Sequence, residues 1–91
     1  MSINNKEQEK LIQAAKSGQI SDMYSLIASG ANPFYFDKNG QTPLNYAIIS
    51  NPIKTHILLL DLHQACTSAA KKDILKHYIE LSLKNGGEYE D

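Results

Sequence analysis

His56, His63 and Cys66 are the residues of this chain whose types could do chemistry together. On one unbroken helix their spacings of seven and three put them on roughly one side. That is a candidate metal arrangement. A structural zinc site takes four tight ligands, and a catalytic one takes three plus a water. The carboxylate of this stretch, Asp61, falls on another face. The plainer reading is a helix edge with ordinary polar residues, and no metal is expected. Cys66 beside histidines also invites a nucleophile, with His63 as its base. A lone cysteine between Ala65 and Thr67 reads more simply as a small packing residue. The chain has no G-x-S-x-G, no P-loop, no paired-glycine fingerprint and no H-E-x-x-H. No enzyme activity, cofactor or small-molecule substrate is expected. His77 reads as a surface residue.

Composition narrows the classes further. The 91 residues suit one domain with a modest core. Hydrophobic residues make up 42% and charged residues 21%, too apolar a balance for disorder. Formal net charge is -1, and every basic residue is a lysine. Arginine is the usual bidentate grip on phosphate and guanine, so no nucleic-acid partner is expected. The single cysteine cannot form an internal disulfide. The first ten residues, MSINNKEQEK, lack the apolar core of a signal peptide. The run Ile57 to Leu60 is far too short to span a bilayer. Lys71-Lys72 is no basic amphipathic face, so no membrane partner is expected. A reducing cytoplasm fits best. For a bacterial effector the equivalent place is the host cytosol.

The elements read as follows. Asn5 caps a first helix, with Gln8 three residues on, and Leu11, Ile12, Ala14 and Ala15 form its apolar stripe. Ser17-Gly18 ends it. A second helix carries Ile20, Met23, Leu26 and Ile27 and ends at Gly30, a left-handed C-cap. Residues 31–41 have no helical period, and Asp37-Lys38-Asn39-Gly40 is a turn. Thr42-Pro43 opens a third helix with Leu44, Ala47 and Ile48. Asn51-Pro52 breaks the chain before a fourth helix from about Ile53. Thr67-Ser68 caps a fifth, whose apolar face includes Ile74, Leu75, Tyr78 and Ile79. Gly86-Gly87 ends it.

A repeat underlies this order. Leu11 and Leu44, Ala14 and Ala47, Ser17 and Ser50, Leu26 and Leu59, and Ile27 and Leu60 are all separated by 33. A fixed period carrying helix, turn, helix points to stacked repeats.

The residues Gly30-Ala31-Asn32-Pro33-Phe34-Tyr35-Phe36-Asp37-Lys38-Asn39-Gly40-Gln41-Thr42-Pro43-Leu44-Asn45-Tyr46-Ala47 match without a gap the pattern G-A-D-x-N-x-x-D-x-x-G-x-T-P-L-H-x-A. In this the chain resembles the ankyrin repeat family over about residues 7–63. The resemblance implies an all-α stack of antiparallel helix pairs joined by a β-turn finger. Repeat one would span about residues 7–36, repeat two about 37–66, and a divergent capping helix about 68–85. Together they form one domain, 1–85, with a flexible acidic tail over 86–91. Four positions depart from the family. Asn45 stands for its histidine, Phe34 for its buried turn asparagine, and His56 for a core valine. Asn51 replaces the linking glycine as the next best left-handed residue. Two repeats are fewer than the roughly three a solenoid needs, so the last helix should cover the open end.

The resemblance also places a partner surface. Family members hold proteins with the turn tips and the exposed inner helices. Those positions are Phe36, Lys38, Asn39, Gln41, Ile49 and Ser50 in repeat two, with Tyr35 adjacent, and Lys16 and Ser17 in repeat one. An isoleucine at the exposed position 49 serves no folding purpose. On a straight extended arm Phe34 and Phe36 would share one side. The alignment sends Phe34 inward and Phe36 outward, which requires a bent arm. The expected function is a non-catalytic protein-binding module, such as a small inhibitor, immunity protein or effector. The alternative is a structural homo-oligomer through the exposed repeat face.

Overall fold

The computed structural model describes residues 5–87. Among them five helices form: α1 (Asn5–Lys16), α2 (Ile20–Ala28), α3 (Pro43–Ser50), α4 (Pro52–Ala65) and α5 (Ala69–Lys84). No described residue lies in a strand. The described residues are therefore all-α, as expected. Helix α1 rests on α2 and α3, while α4 touches α2, α3 and α5.

Local chemistry sets the boundaries. Helix α2 ends with Gly30 at φ +111, while the Gly30 and Ala31 N–H groups close on the Ile27 and Leu26 carbonyls at 3.0 Å each. This is the Schellman arrangement, which wants a residue free of Cβ at that φ. Thr42 caps α3 by accepting from the Asn45 N–H at 3.2 Å, and Pro43 supplies the first helical residue. Ser68 caps α5 in the same way through the Lys71 N–H at 3.3 Å.

Several expectations are corrected. Asn51 is not left-handed: its φ is -154. Pro52 forces the preceding residue into extended backbone. The side chain instead caps α4 through the Lys54 N–H at 3.3 Å and donates to the Gly18 carbonyl at 3.2 Å. Its equivalent 33 residues earlier, Gly18, has no proline after it and does take positive φ, +73. The expected capping pair of Asn5 and Gln8 falls on an Asn5 side chain outside the described residues. Gln8 itself is buried and holds the backbone of Asn32 with two bonds, of 2.7 and 2.9 Å. Helix α4 also stops at Ala65, so Cys66 is not on one unbroken helix with the histidines but in extended backbone at ψ 135.

The core is apolar and continuous. Leu11, Met23, Leu44, Leu58 and Leu59 are fully buried, and Leu75 brings α5 into the same cluster. Each such side chain contributes roughly 1.5–3 kcal/mol by leaving water. Polar pairs then fix α5 in place. Ser82 donates to the Ile79 carbonyl at 2.7 Å, which uses its one proton. It must therefore accept from His56 Nδ1 at 2.8 Å, putting the histidine proton on that nitrogen. The end of α5 is pinned as well. Gly87 is buried and its N–H reaches the Ser82 carbonyl at 2.7 Å. Of the expected tail over 86–91, Gly87 is thus packed, and residues 88–91 lie outside the described residues.

Candidate functional site

The loop between α2 and α3 is bent and then braced. Asn32 Oδ1 accepts from the Phe34 N–H at 2.9 Å, and its carbonyl accepts from the Tyr35 N–H at 3.4 Å. This side-chain turn breaks the extended alternation. Phe34 consequently turns in, half-buried against Tyr78 with ring centroids 6.5 Å apart. Phe36 turns out and is 64% exposed. Tyr35 is exposed as well.

Asp37 braces the tip. Its Oδ1 accepts from the Asn39 and Gln41 N–H groups at 2.9 and 3.0 Å. Its Oδ2 accepts the Tyr46 hydroxyl at 2.5 Å. The carboxyl therefore lies below its usual range, first because of the Tyr46 hydrogen bond and next because of the Gln41 N–H. The same bond pushes the Tyr46 hydroxyl up, while Asn39 opposes that shift. Lys16, at the end of α1, sets its ammonium 4.9 Å from the centre of the Tyr46 ring. One chain of contacts thus joins α1, α3 and the loop tip.

The expected contact residues divide accordingly. Lys16, Lys38, Asn39 and Gln41 are exposed around this braced turn. Ile49 follows Tyr46 by three residues on α3, hence on the same helical side, and is 72% exposed. Ser50 is differently engaged. Its hydroxyl donates to the Ala15 carbonyl at 2.5 Å, fastening α3 to α1. Ser17 opens instead onto a groove of about 690 Å³ between α1 and α2. Lys10, Gln13, Asp22 and Ser25 line that groove, where their equivalents 33 residues later are Pro43, Tyr46, Thr55 and Leu58. Of these equivalents Pro43, Thr55 and Leu58 are buried, and Tyr46 takes the Lys16 ammonium over its ring.

The histidines and the cysteine do not gather. His56 serves α5, and Cys66 Sγ lies 3.5 Å from the Ser68 carbonyl. No three His, Cys, Asp or Glu side chains converge on a metal position among the described residues. None of the described helices is long and apolar enough to cross a membrane.

Sequence reasoning missed Tyr46 as the brace of the turn. The available signal was its spacing of nine from Asp37, across a turn and one helical start. It also missed the Tyr24 hydroxyl, which donates to Asp61 at 2.5 Å and links α2 to α4. Nothing in the local pattern marks that pair. No protein-family model matches the chain, and no curated protein matches it.

Proposed function

We propose that the chain is a non-catalytic protein-binding module of ankyrin-like build. Its partner is another protein, held by the α2–α3 loop and the exposed side of α3. The observation that carries this reading is the exposure of Phe36 and Ile49, the two most exposed large hydrophobic residues among those described, at 64% and 72%. Both belong to backbone that is already fixed, by Asp37 in the loop and by the buried side of α3. A rigid apolar anchor loses little entropy on binding, which is how aromatic residues come to dominate interface centres. Lys16 and Lys38 add exposed positive charge, while Asp37 is satisfied internally. The 33-residue equivalence of the two helix pairs and the ungapped motif support the ankyrin-like assignment.

A pull-down with the wild type and a Phe36→Ala, Ile49→Ala double variant tests it, read by mass spectrometry. A partner recovered by the wild type and lost by an equally stable double variant supports the reading. Equal recovery by the two overturns it.

A further inference from the structure

The outer side of α4 carries a pattern that maps onto itself. Ile53, Ile57 and Leu60 recur there at spacings of four and three. Ile53 and Leu60 are 44% and 46% exposed, and Ile57 is half-buried. Lys54 and Asp61, seven apart, run along one edge of this stripe. That edge is the one nearer α2. Lys54 and Ile57 border a hollow of about 260 Å³ with Tyr24 of α2, and Asp61 Oδ2 accepts the Tyr24 hydroxyl. The opposite edge is nearer α5, where His56 meets Ser82. Lys54 makes no ion pair among the described residues, and Tyr24 leaves the second oxygen of Asp61 unused.

We infer that this face joins a second copy of the chain, in a two-fold dimer whose α4 helices run antiparallel. An isologous interface needs a surface complementary to itself. Residues climb a helix by about 1.5 Å each. A two-fold axis crossing α4 at Ile57 therefore sets Ile53 of one copy within about one such step of Leu60 of the other. The same axis sets Lys54 against Asp61, twice by symmetry. It also keeps both α2 edges on one side, so apolar residues meet apolar ones and charges meet opposite charges. A parallel arrangement lacks this match. It lays Lys54 over Ile53 and Asp61 over Leu60, which leaves both charges facing apolar side chains. The dimer face is distinct from the loop and α3 residues of the proposed partner site, and the inference does not rest on that reading.

Sedimentation equilibrium on the full chain, over a series reaching about 1 mM, tests the dimer. A monomer–dimer equilibrium is expected. Leu60→Glu, at an exposed position, should keep the thermal melt and weaken the dimer at least tenfold. Lys54→Glu should weaken it about tenfold, since symmetry places a repulsive pair at both ends. The charge-swapped double variant Lys54→Glu, Asp61→Lys should regain the wild-type affinity. A monomer at every concentration overturns the inference, as does a double variant no tighter than Lys54→Glu alone. The Phe36→Ala, Ile49→Ala protein should dimerise like the wild type. Loss of the dimer there would move self-association to the other face and overturn the assignment to α4.

Discussion

The hydroxyls of Thr42 and Tyr78 lie 2.9 Å apart in the interior, tying the cap of α3 to the middle of α5. Thr42 is fully buried and Tyr78 nearly so. Thr42 Oγ1 also accepts from the Asn45 N–H, so one side chain serves both a helix start and a tertiary contact. Tyr78→Phe keeps the ring against Phe34 and removes only the hydroxyl. The Thr42 hydroxyl is then buried without that partner. We expect a loss of about 1–2 kcal/mol, which lowers Tm by roughly 4–8 °C per kcal/mol in a chain of this size. Urea and thermal denaturation measure it. A Tm within 1 °C of the wild type would mean that the bond contributes nothing, roughly the limit a neutral substitution reaches.

The close of α5 makes a second prediction. A Cβ on Gly87 would stand 2.7 Å from the Ser82 carbonyl oxygen and 2.8 Å from the Pro52 carbonyl oxygen. Both neighbours are backbone, so neither can swing aside. Gly87→Ala should destabilise the fold by about 1–3 kcal/mol, the range for forced overpacking. Amide exchange should locate the loosening at α5 and the α3–α4 junction. A variant as stable as the wild type would show that this end of the chain is not held where Gly87 sits.

Much of the helical order was legible because each boundary has a local cause. Thr42-Pro43, Ser68 and Gly30 act on residues within a turn of themselves, and the sequence displays them directly. The side chains that answer to distant partners were not legible. Gln8 holds the backbone of Asn32, 24 positions away, and nothing around Gln8 in the sequence marks that partner. His56 looked like a misplaced core residue until Ser82, 26 positions on, supplied its partner. Asn51 cannot take over the left-handed role of a glycine because it precedes Pro52, and its φ is -154. The contact positions divided for the same reason. The exposure of Phe36 and Ile49 follows from local geometry, whereas the use of Ser50 depends on where Ala15 falls on another helix.

The Asp37 carboxylate sets the acid response of the braced loop. Its folded value is depressed, chiefly by the Tyr46 hydroxyl and then by the Gln41 N–H. A depressed carboxylate stabilises the fold above its unfolded value, near 3.8, and loses that contribution as pH falls through the folded value. Denaturation midpoints should therefore drop below about pH 4. Asp37→Asn should start lower at neutral pH and lose less on acidification. An identical acid slope in the variant would mean that Asp37 carries none of the effect.

The aromatic loop residues should separate stability from binding. Phe34 is half-buried against Tyr78, so Phe34→Ala opens a gap at the α5 contact. We expect a cost of roughly 1–3 kcal/mol, below that of a fully buried phenylalanine. Phe36 is mostly in solvent, and Phe36→Ala should stay within about 0.5 kcal/mol of the wild type. Binding should rank them the other way among molecules that remain folded. The loss of partner recovery should follow Phe36→Ala, while Phe34→Ala retains recovery in proportion to its folded fraction. Denaturation curves set beside pull-down yields read both rankings. If Phe36→Ala destabilises as much as Phe34→Ala, the outward ring is needed for folding and cannot be treated as free for a partner.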